Sequence, residues 1–237
     1  LTKRYWYVIL TYIVMQFSGI LFIPLLYFIT PFSKQESMVT WTIISFLVGL
    51  VIILFLMKPD MKTAYTRDAS SAGMMAVWVI TGVIMAYLAQ GLAGVIESNV
   101  FGIRPGSQNT EAIMSIARAA PVFMIIPALI APIMEEIIFR KIIFGVLYKR
   151  TNFFLAALLS SFIFGIIHGE PEHILIYASM GFVFAFLYVQ TKRIIVPILV
   201  HMLLNSISVI VQFSLDPEQI ERMIKQSEQM QMILIGG

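Results

Sequence analysis

The chain has 237 residues, 59% of them hydrophobic and only 12% charged, with a mean hydropathy of +0.89 and a net charge of +3. A soluble domain carries about a quarter charged residues, so this composition belongs to an integral membrane protein. The small positive balance calls for no nucleic-acid partner, because basic residues beside membrane segments orient them, and the absence of cysteine excludes a disulfide framework, a thiolate nucleophile and a sulfur-ligated metal.

Apolar runs of about 20 residues cross a bilayer as helices. About seven are predicted in chain order, at roughly 5–29, 38–57, 72–96, 119–147, 153–168, 173–190 and 194–213. The first opens "LTKRYWYVILTY" and stays apolar to Ile29, too long for the h-region of a cleavable signal peptide. Short polar connections follow, such as "TPFSKQES" and "KPDMKTAYTRDASS". A longer link, 97–118, holds Gly102, Pro105 and Gly106 and then "SQNTEAIMSIARAA". That last piece reads either as an interfacial helix capped by Ser107 or Asn109, or as an early start to the fourth span. The end of the chain, "LDPEQIERMIKQSEQMQMILIGG", is polar with some helical periodicity and is expected on the surface. No repeat, low-complexity tract or long polar linker divides the chain. The fold class is therefore all-α, a polytopic transmembrane helical bundle. It has three stretches: N-terminal helices with their connecting segment over 1–118, a second helical group over 119–213, and a polar tail over 214–237.

Positive charge sets the orientation of such a bundle. Lys3, Arg4, Lys58, Lys62, Arg67, Lys149, Arg150, Lys192 and Arg193 all fall at ends or loops on one side. The other side receives Lys34, Arg104, Arg118, Arg222 and Lys225, diluted by Glu36, Glu97, Glu111, Glu170 and Glu172. The expected topology is multi-pass, with the N-terminus in and the C-terminus out of the cell membrane of a bacterium.

Of the thirteen acidic residues, Glu135 and Glu136 alone are predicted to lie deep in a span; the other eleven are assigned to loops, termini or the tail. A charge at the bilayer centre costs ~2.5–3.5 kcal/mol on insertion scales, so it must face the bundle interior or a cavity. Glu136 and Arg140 are i,i+4 with the glutamate nearer the N-terminus, the better orientation for an ion pair. Glu135 is turned about 100° away by helix geometry and has Phe139, not a cation, one turn on. A buried carboxylate without a local cation is a better proton acceptor than one held by an arginine, which suits a general base. The plainer account is a buried polar cluster that only locks helix packing. The second glutamate weighs against it, since one arginine cannot cheaply neutralise two carboxylates.

Two of three histidines lie in apolar spans, His168 ending "SSFIFGIIH" and His201 in "VPILVHMLLNS". A lone histidine in a bundle is more often a packing residue than a catalyst. His201, however, has Asn205 at i+4, so an imidazole and a carboxamide point from one helix face into the same space. Two such donors can hold an oxyanion if a substrate carbonyl reaches them. Phe164, at i−4 from His168, is placed to fix its ring, while His173 in "GEPEH" reads as an interface residue. The offset of five between His168 and His173 makes a local two-histidine metal site an unfavourable reading.

"EEIIFR", "FGIIH" and "HMLLN" match, in order, the EExxxR, FxxxH and HxxxN motifs of the CAAX proteases and bacteriocin-processing enzymes, also called the Abi family. The chain resembles that family over about residues 119–211, and "SMGFVFAFLYVQTKRIIVPILVH" is similar to its stretch between the last two motifs. The family includes the eukaryotic Ras-converting prenyl-protein endopeptidase. The resemblance implies an all-helical intramembrane endopeptidase with its catalytic core in 119–213. It implies that Glu135 activates water with help from His168, that His201 and Asn205 stabilise the oxyanion, and that Glu136, Arg140 and Phe164 support the site. The implied partners are the bilayer and a peptide or protein substrate reaching the site from the membrane, in peptide maturation, self-immunity or regulatory proteolysis.

Three other readings stand beside this one. Glu135, His168 and His201 form a possible zinc set, since two histidines and one glutamate with an open position suit hydrolytic zinc. Against that, Glu135 would then be a ligand and not the base, and the matched helices supply no aspartate to orient ligand histidines, although backbone carbonyls could do so; the expected cofactor is none. A non-catalytic scaffold or immunity protein is the second, and an intact four-residue site weighs against it. A proton-relay transporter is the third, and no paired discontinuous segments or repeat symmetry support it.

Overall fold

The computed structural model describes residues 2–62 and 68–215, together with residues 218, 219, 222, 225 and 226. Among them there is no strand. The helices are α1 (Lys3–Ile29), α2 (Lys34–Lys62), α3 (Ala72–Phe101), α4 (Gln108–Ala119), α5 (Pro121–Tyr148), α6 (Phe153–Ile166), α7 (Ile174–Thr191) and α8 (Ile195–Ser214). All but α4 and α6 are long and apolar enough to span a bilayer. Helix α6, at 14 residues, is about 21 Å long and is followed by the turn that carries His168. The expected bundle of about seven spans is what the chain forms. Most of the tail predicted to lie on the surface falls outside the described residues.

Local signals set the helix ends. Ser33 and Glu36 form a capping box at the start of α2, with Ser33 N–H to Glu36 Oε2 at 2.7 Å and Glu36 N–H to Ser33 Oγ at 3.2 Å. Asn152 caps α6 through Leu155 N–H. The two readings of 97–118 resolve in favour of a separate helix: Ser107 accepts from Thr110 N–H at 3.0 Å and starts α4. At the other end of α4, Arg118 donates to the carbonyls of Gln212 and Leu215, where α8 leaves its last acceptors open.

Three carboxylates assigned to loops prove to be structural. Asp60 lies within α2, which runs to Lys62, and binds Arg4 and Tyr5 of α1. Glu97 lies within α3, 2% exposed, and accepts from His173 Nδ1 at 2.9 Å and from the amides of Leu175 and Ile176. It thereby caps α7 from another helix. His173 is accordingly buried rather than interfacial. Glu170, just outside α7, is 5% exposed. Burial pushes its carboxyl up, but hydrogen bonds from Tyr177, the Asn109 amide and Ser107 outweigh that and hold it below the ordinary carboxylate value. Such contacts lie between segments distant in sequence, so charge counting cannot find them.

The core has two halves. Val8, Tyr12 and Met15 of α1 and Ile53 and Met57 of α2 pack on α5, while Ala86 of α3 packs with Phe184 and Leu187 of α7 and Val196 and Val200 of α8. Close helix approach needs small residues where no hydrophobic force separates helix from lipid. A Cβ at Gly181 of α7 would sit 2.8 Å from Ser161 Cβ on α6, and one at Gly82 of α3 would sit 2.7 Å from Leu187 Cδ1. Helix α5 lies between the halves: half of its apolar stretch is buried in protein, against 17%, 17% and 11% for those of α1, α2 and α3. That placement lets it carry charges no lipid-facing helix could.

Candidate active site

Helix α5 departs from the regular helix expected over 119–147. It begins as a 3₁₀ turn at Pro121–Met124 and passes through π-helical turns at Ile126–Ile130 and Ile137–Phe144, with regular α turns at Ala131–Glu136 between them. Pro127 and Pro132 are the visible cause of the first irregularity. In the π register the Ala131 N–H bonds to Ile126 O, so the next amide would serve Pro127 O; that residue is Pro132, which has none. The orphaned Pro127 carbonyl is taken by Asn205 Nδ2 from α8 at 2.9 Å. The carboxamide therefore repairs α5 as well as facing the site.

Glu135 and Glu136 occupy the α-helical turns between the two π segments. Glu136 is fully buried and contacts two cations or potential cations at once. Its Oε2 lies 3.1 Å from Arg140 Nε, an ion pair without hydrogen-bond alignment, and its Oε1 lies 2.9 Å from His201 Nδ1. The Glu136–Arg140 pair expected from i,i+4 spacing forms; the His201 contact was not foreseen. Arg140 is fully buried, and its Nη1 and Nη2 have no hydrogen-bond partner among the described residues. Its guanidinium instead lies against the rings of Phe164, Phe184 and Phe139, 4.4, 5.3 and 6.0 Å from their centroids.

Glu135 has a different environment. Its side chain is 12% exposed, and Oε2 lies 3.8 Å from His201 Nε2. The sequence leaves this carboxylate without a local cation; the fold brings the other nitrogen of the same imidazole towards it. His201 thus sits between two carboxylates and is stacked on Phe184 at 4.9 Å. His168 Nδ1 is 2.7 Å from the carbonyl of Phe164, which can only accept, so Nδ1 carries the hydrogen. The Phe164 ring lies edge-on to His168 at 4.6 Å.

Glu135, His168, His201 and Asn205 all line one cavity of about 340 Å³. Phe164 lines it as well, whereas Glu136 and Arg140 lie behind it. Residues 117–207, which hold those four and their support, match the family model described as type II CAAX prenyl endopeptidase Rce1-like. Two relatives match across almost the whole chain. One is "Putative membrane peptidase YdiL" of Bacillus subtilis (strain 168), 46% identical over 243 residues, covering 99% of this chain and 98% of that protein. The other is "Membrane-embedded CAAX protease MroQ" of Staphylococcus aureus (strain USA300), 31% identical over 237 residues, covering 94% and 96%. The chain belongs to the Rce1-like CAAX endopeptidase family. No solved structure matches it.

This Rce1-like chain is an integral, multi-pass membrane protein and an intramembrane endopeptidase. Its cavity extends beyond the matched segment: Tyr12 and Gln16 of α1, Thr42 and Phe46 of α2, and Asn109 and Thr110 of α4 also line it. The sequence signal was modest, an isolated Gln16 and Thr42 within apolar spans. Tyr177 of α7, another lining residue, stacks on His168 and gave no signal at all.

The zinc set raised by the sequence, Glu135, His168 and His201, lines the cavity of this Rce1-like site. Among the described residues no three histidine, aspartate or glutamate side chains gather closely enough to hold a metal. One strand of the sequence argument against zinc fails, however. Both histidines do have an orienting acceptor, Glu136 for His201 and the Phe164 carbonyl for His168.

Proposed function

We propose that this endopeptidase hydrolyses its substrate through a water activated by Glu135, with no metal. The observation that carries this reading is the shared cavity, which brings a partly exposed carboxylate, two imidazoles and a carboxamide to one space. The Glu135 carboxylate takes a proton from water as the oxygen attacks the scissile carbonyl carbon. The oxyanion forms beside His201 and Asn205. Collapse of the tetrahedral intermediate breaks the C–N bond, and the proton passes to the leaving amine. His168 assists, because its Nδ1–H is committed to Phe164 O and Nε2 is left to accept or return a proton.

Each donor role has a requirement. Asn205 spends one N–H on Pro127 O and keeps a second for the oxyanion. His201 gives Nδ1–H to Glu136, so it can donate from Nε2 only as an imidazolium. A carboxylate lies on either side of its ring, Glu136 at 2.9 Å and Glu135 at 3.8 Å. Glu136 and Arg140 are positioning residues in this scheme, and Phe164 orients His168.

The substrate we propose is a peptide or protein presented from the bilayer, processed in peptide maturation, self-immunity or regulatory proteolysis. The membrane is the bacterial cell membrane, with the N-terminus inside. Arg4, Asp60, Asp68 and Lys192 mark one end of the bundle, and Arg118, Ser107 and Glu170 the other. The first end carries the excess of Lys and Arg and is assigned to the cytoplasm. The chain has no cysteine, so single cysteines report cleanly. At exposed Lys149 and Arg104, an impermeant thiol reagent on intact cells should label Arg104→Cys alone; labelling of Lys149→Cys alone reverses the topology.

Metal dependence has its own test. Protein purified active without added metal should contain far less than one zinc per chain and should keep its activity after a strong chelator. Stoichiometric zinc whose removal and return switch cleavage off and on would replace the glutamate mechanism with a metal one.

A further inference from the structure

Among the described residues three contacts fix the ring of His168, two made by Phe164 and one from another helix. The Phe164 carbonyl and the Phe164 ring lie one turn back on the same segment. The third is Tyr177 of α7, whose ring is stacked on the imidazole at 4.1 Å and 22°. A hydrogen bond at Nδ1 leaves the ring free to swing about that contact, and a stacked neighbour removes this freedom.

Tyr177 is itself tethered. Its hydroxyl donates to Glu170 Oε2 at 2.6 Å. The same carboxylate accepts from Ser107 Oγ at 2.9 Å and from the Asn109 amide at 2.9 Å, the N-cap and the first turn of α4. Helix α4 then lends Asn109, Thr110, Ile113 and Met114 to the cavity wall. Capping α4 alone would account for Ser107 and the amide. It does not account for the Tyr177 hydroxyl, whose ring is the one lying on His168.

From this chain of contacts we infer that Tyr177 is a positioning residue for His168, and that Glu170, by binding both Tyr177 and the first turn of α4, makes that positioning conditional on α4 being docked over the cavity. The inference rests on reading His168 as a proton-handling residue. Helix α4 would then serve as a cover whose closure aligns the histidine. Displacing a reacting group by about 1 Å can cost about 100-fold in rate, so a small loss of alignment is measurable.

The test uses full-length protein in lipid nanodiscs and a fluorogenic peptide selected from a random library for cleavage by wild type and not by Glu135→Gln. Tyr177→Leu removes the stack and the tether; it should lower kcat by about 10- to 100-fold with KM within about twofold of wild type. Tyr177→Phe keeps the stack and loses the tether, and Ser107→Ala loosens the tether at its α4 end. Each should lower kcat by a smaller factor, and the double variant should be no worse than the poorer single one, because both cut the same connection. A folded Tyr177→Leu protein with wild-type kcat, or with a change in KM alone, overturns the proposal. If Tyr177→Leu does not fold, the cycle decides: losses that overlap sustain the proposal, and unchanged or multiplying effects overturn it. Failure of the underlying reading looks different, since His168→Ala would then cleave the peptide like wild type.

Discussion

Glu135→Gln is expected to abolish peptide cleavage while the protein inserts, folds and melts as wild type does. The carboxamide keeps the shape of the side chain and loses the only function assigned to it, taking a proton from water. General-base catalysis contributes about 10²–10⁴-fold, so the loss should be at least about 100-fold and appear in kcat. Stability should be spared because Glu135 is not the residue that holds the helices together. It lies 3.8 Å from His201 Nε2, too far for a hydrogen bond, and its side chain keeps 12% exposure to the cavity. Activity within a few-fold of wild type would remove Glu135 from the mechanism.

Arg140→Ala should fail in a different way, losing stability and activity together. The substitution strands Glu136, fully buried, with His201 as its remaining partner. It also empties the space between the rings of Phe164, Phe184 and Phe139. Breaking a buried pair by removing one partner costs ~3–5 kcal/mol. For a chain of this length that is a fall in melting temperature on the order of 10 °C. Activity follows because Glu136, no longer held by Arg140, no longer fixes His201 Nδ1. Arg140→Lys should fall between the two, since an ammonium restores the charge but lacks the flat guanidinium that lies on three rings. The measurement is thermal unfolding in detergent beside a cleavage assay, and an Arg140→Ala protein that melts like wild type would defeat this account of the pair.

The contrast between these two glutamates shows which parts of the site were local. Glu136 and Arg140 lie one turn apart on one helix, so spacing alone paired them, and the fold agrees at 3.1 Å. The spans were legible for the same kind of reason. About 20 apolar residues in a row have few alternatives to crossing the bilayer, because every backbone amide must find its partner within the segment. The three motifs named five of the residues that line the cavity, Glu135, Phe164, His168, His201 and Asn205.

Tertiary structure decided everything that joins distant segments. Glu136 meets His201 across 65 residues, Asn205 meets Pro127 across 78, and Ser107 meets Glu170 across 63. None of these contacts has a sequence period, because each depends on how two helices are rotated about their own axes once packed. The π turns of α5 belong with them. Pro127 and Pro132 signal that the regular ladder must fail somewhere, but whether the chain kinks, tightens or widens depends on who takes the freed carbonyl, and here that is an amide on α8. Charge counting misplaced Asp60 and Glu97, and gave no sign that Glu170, in its loop, is buried, for the same reason. A carboxylate near a span end looks solvated until a helix N-terminus, an arginine or a tyrosine from another segment arrives beside it, and only the packed bundle brings such a partner within reach.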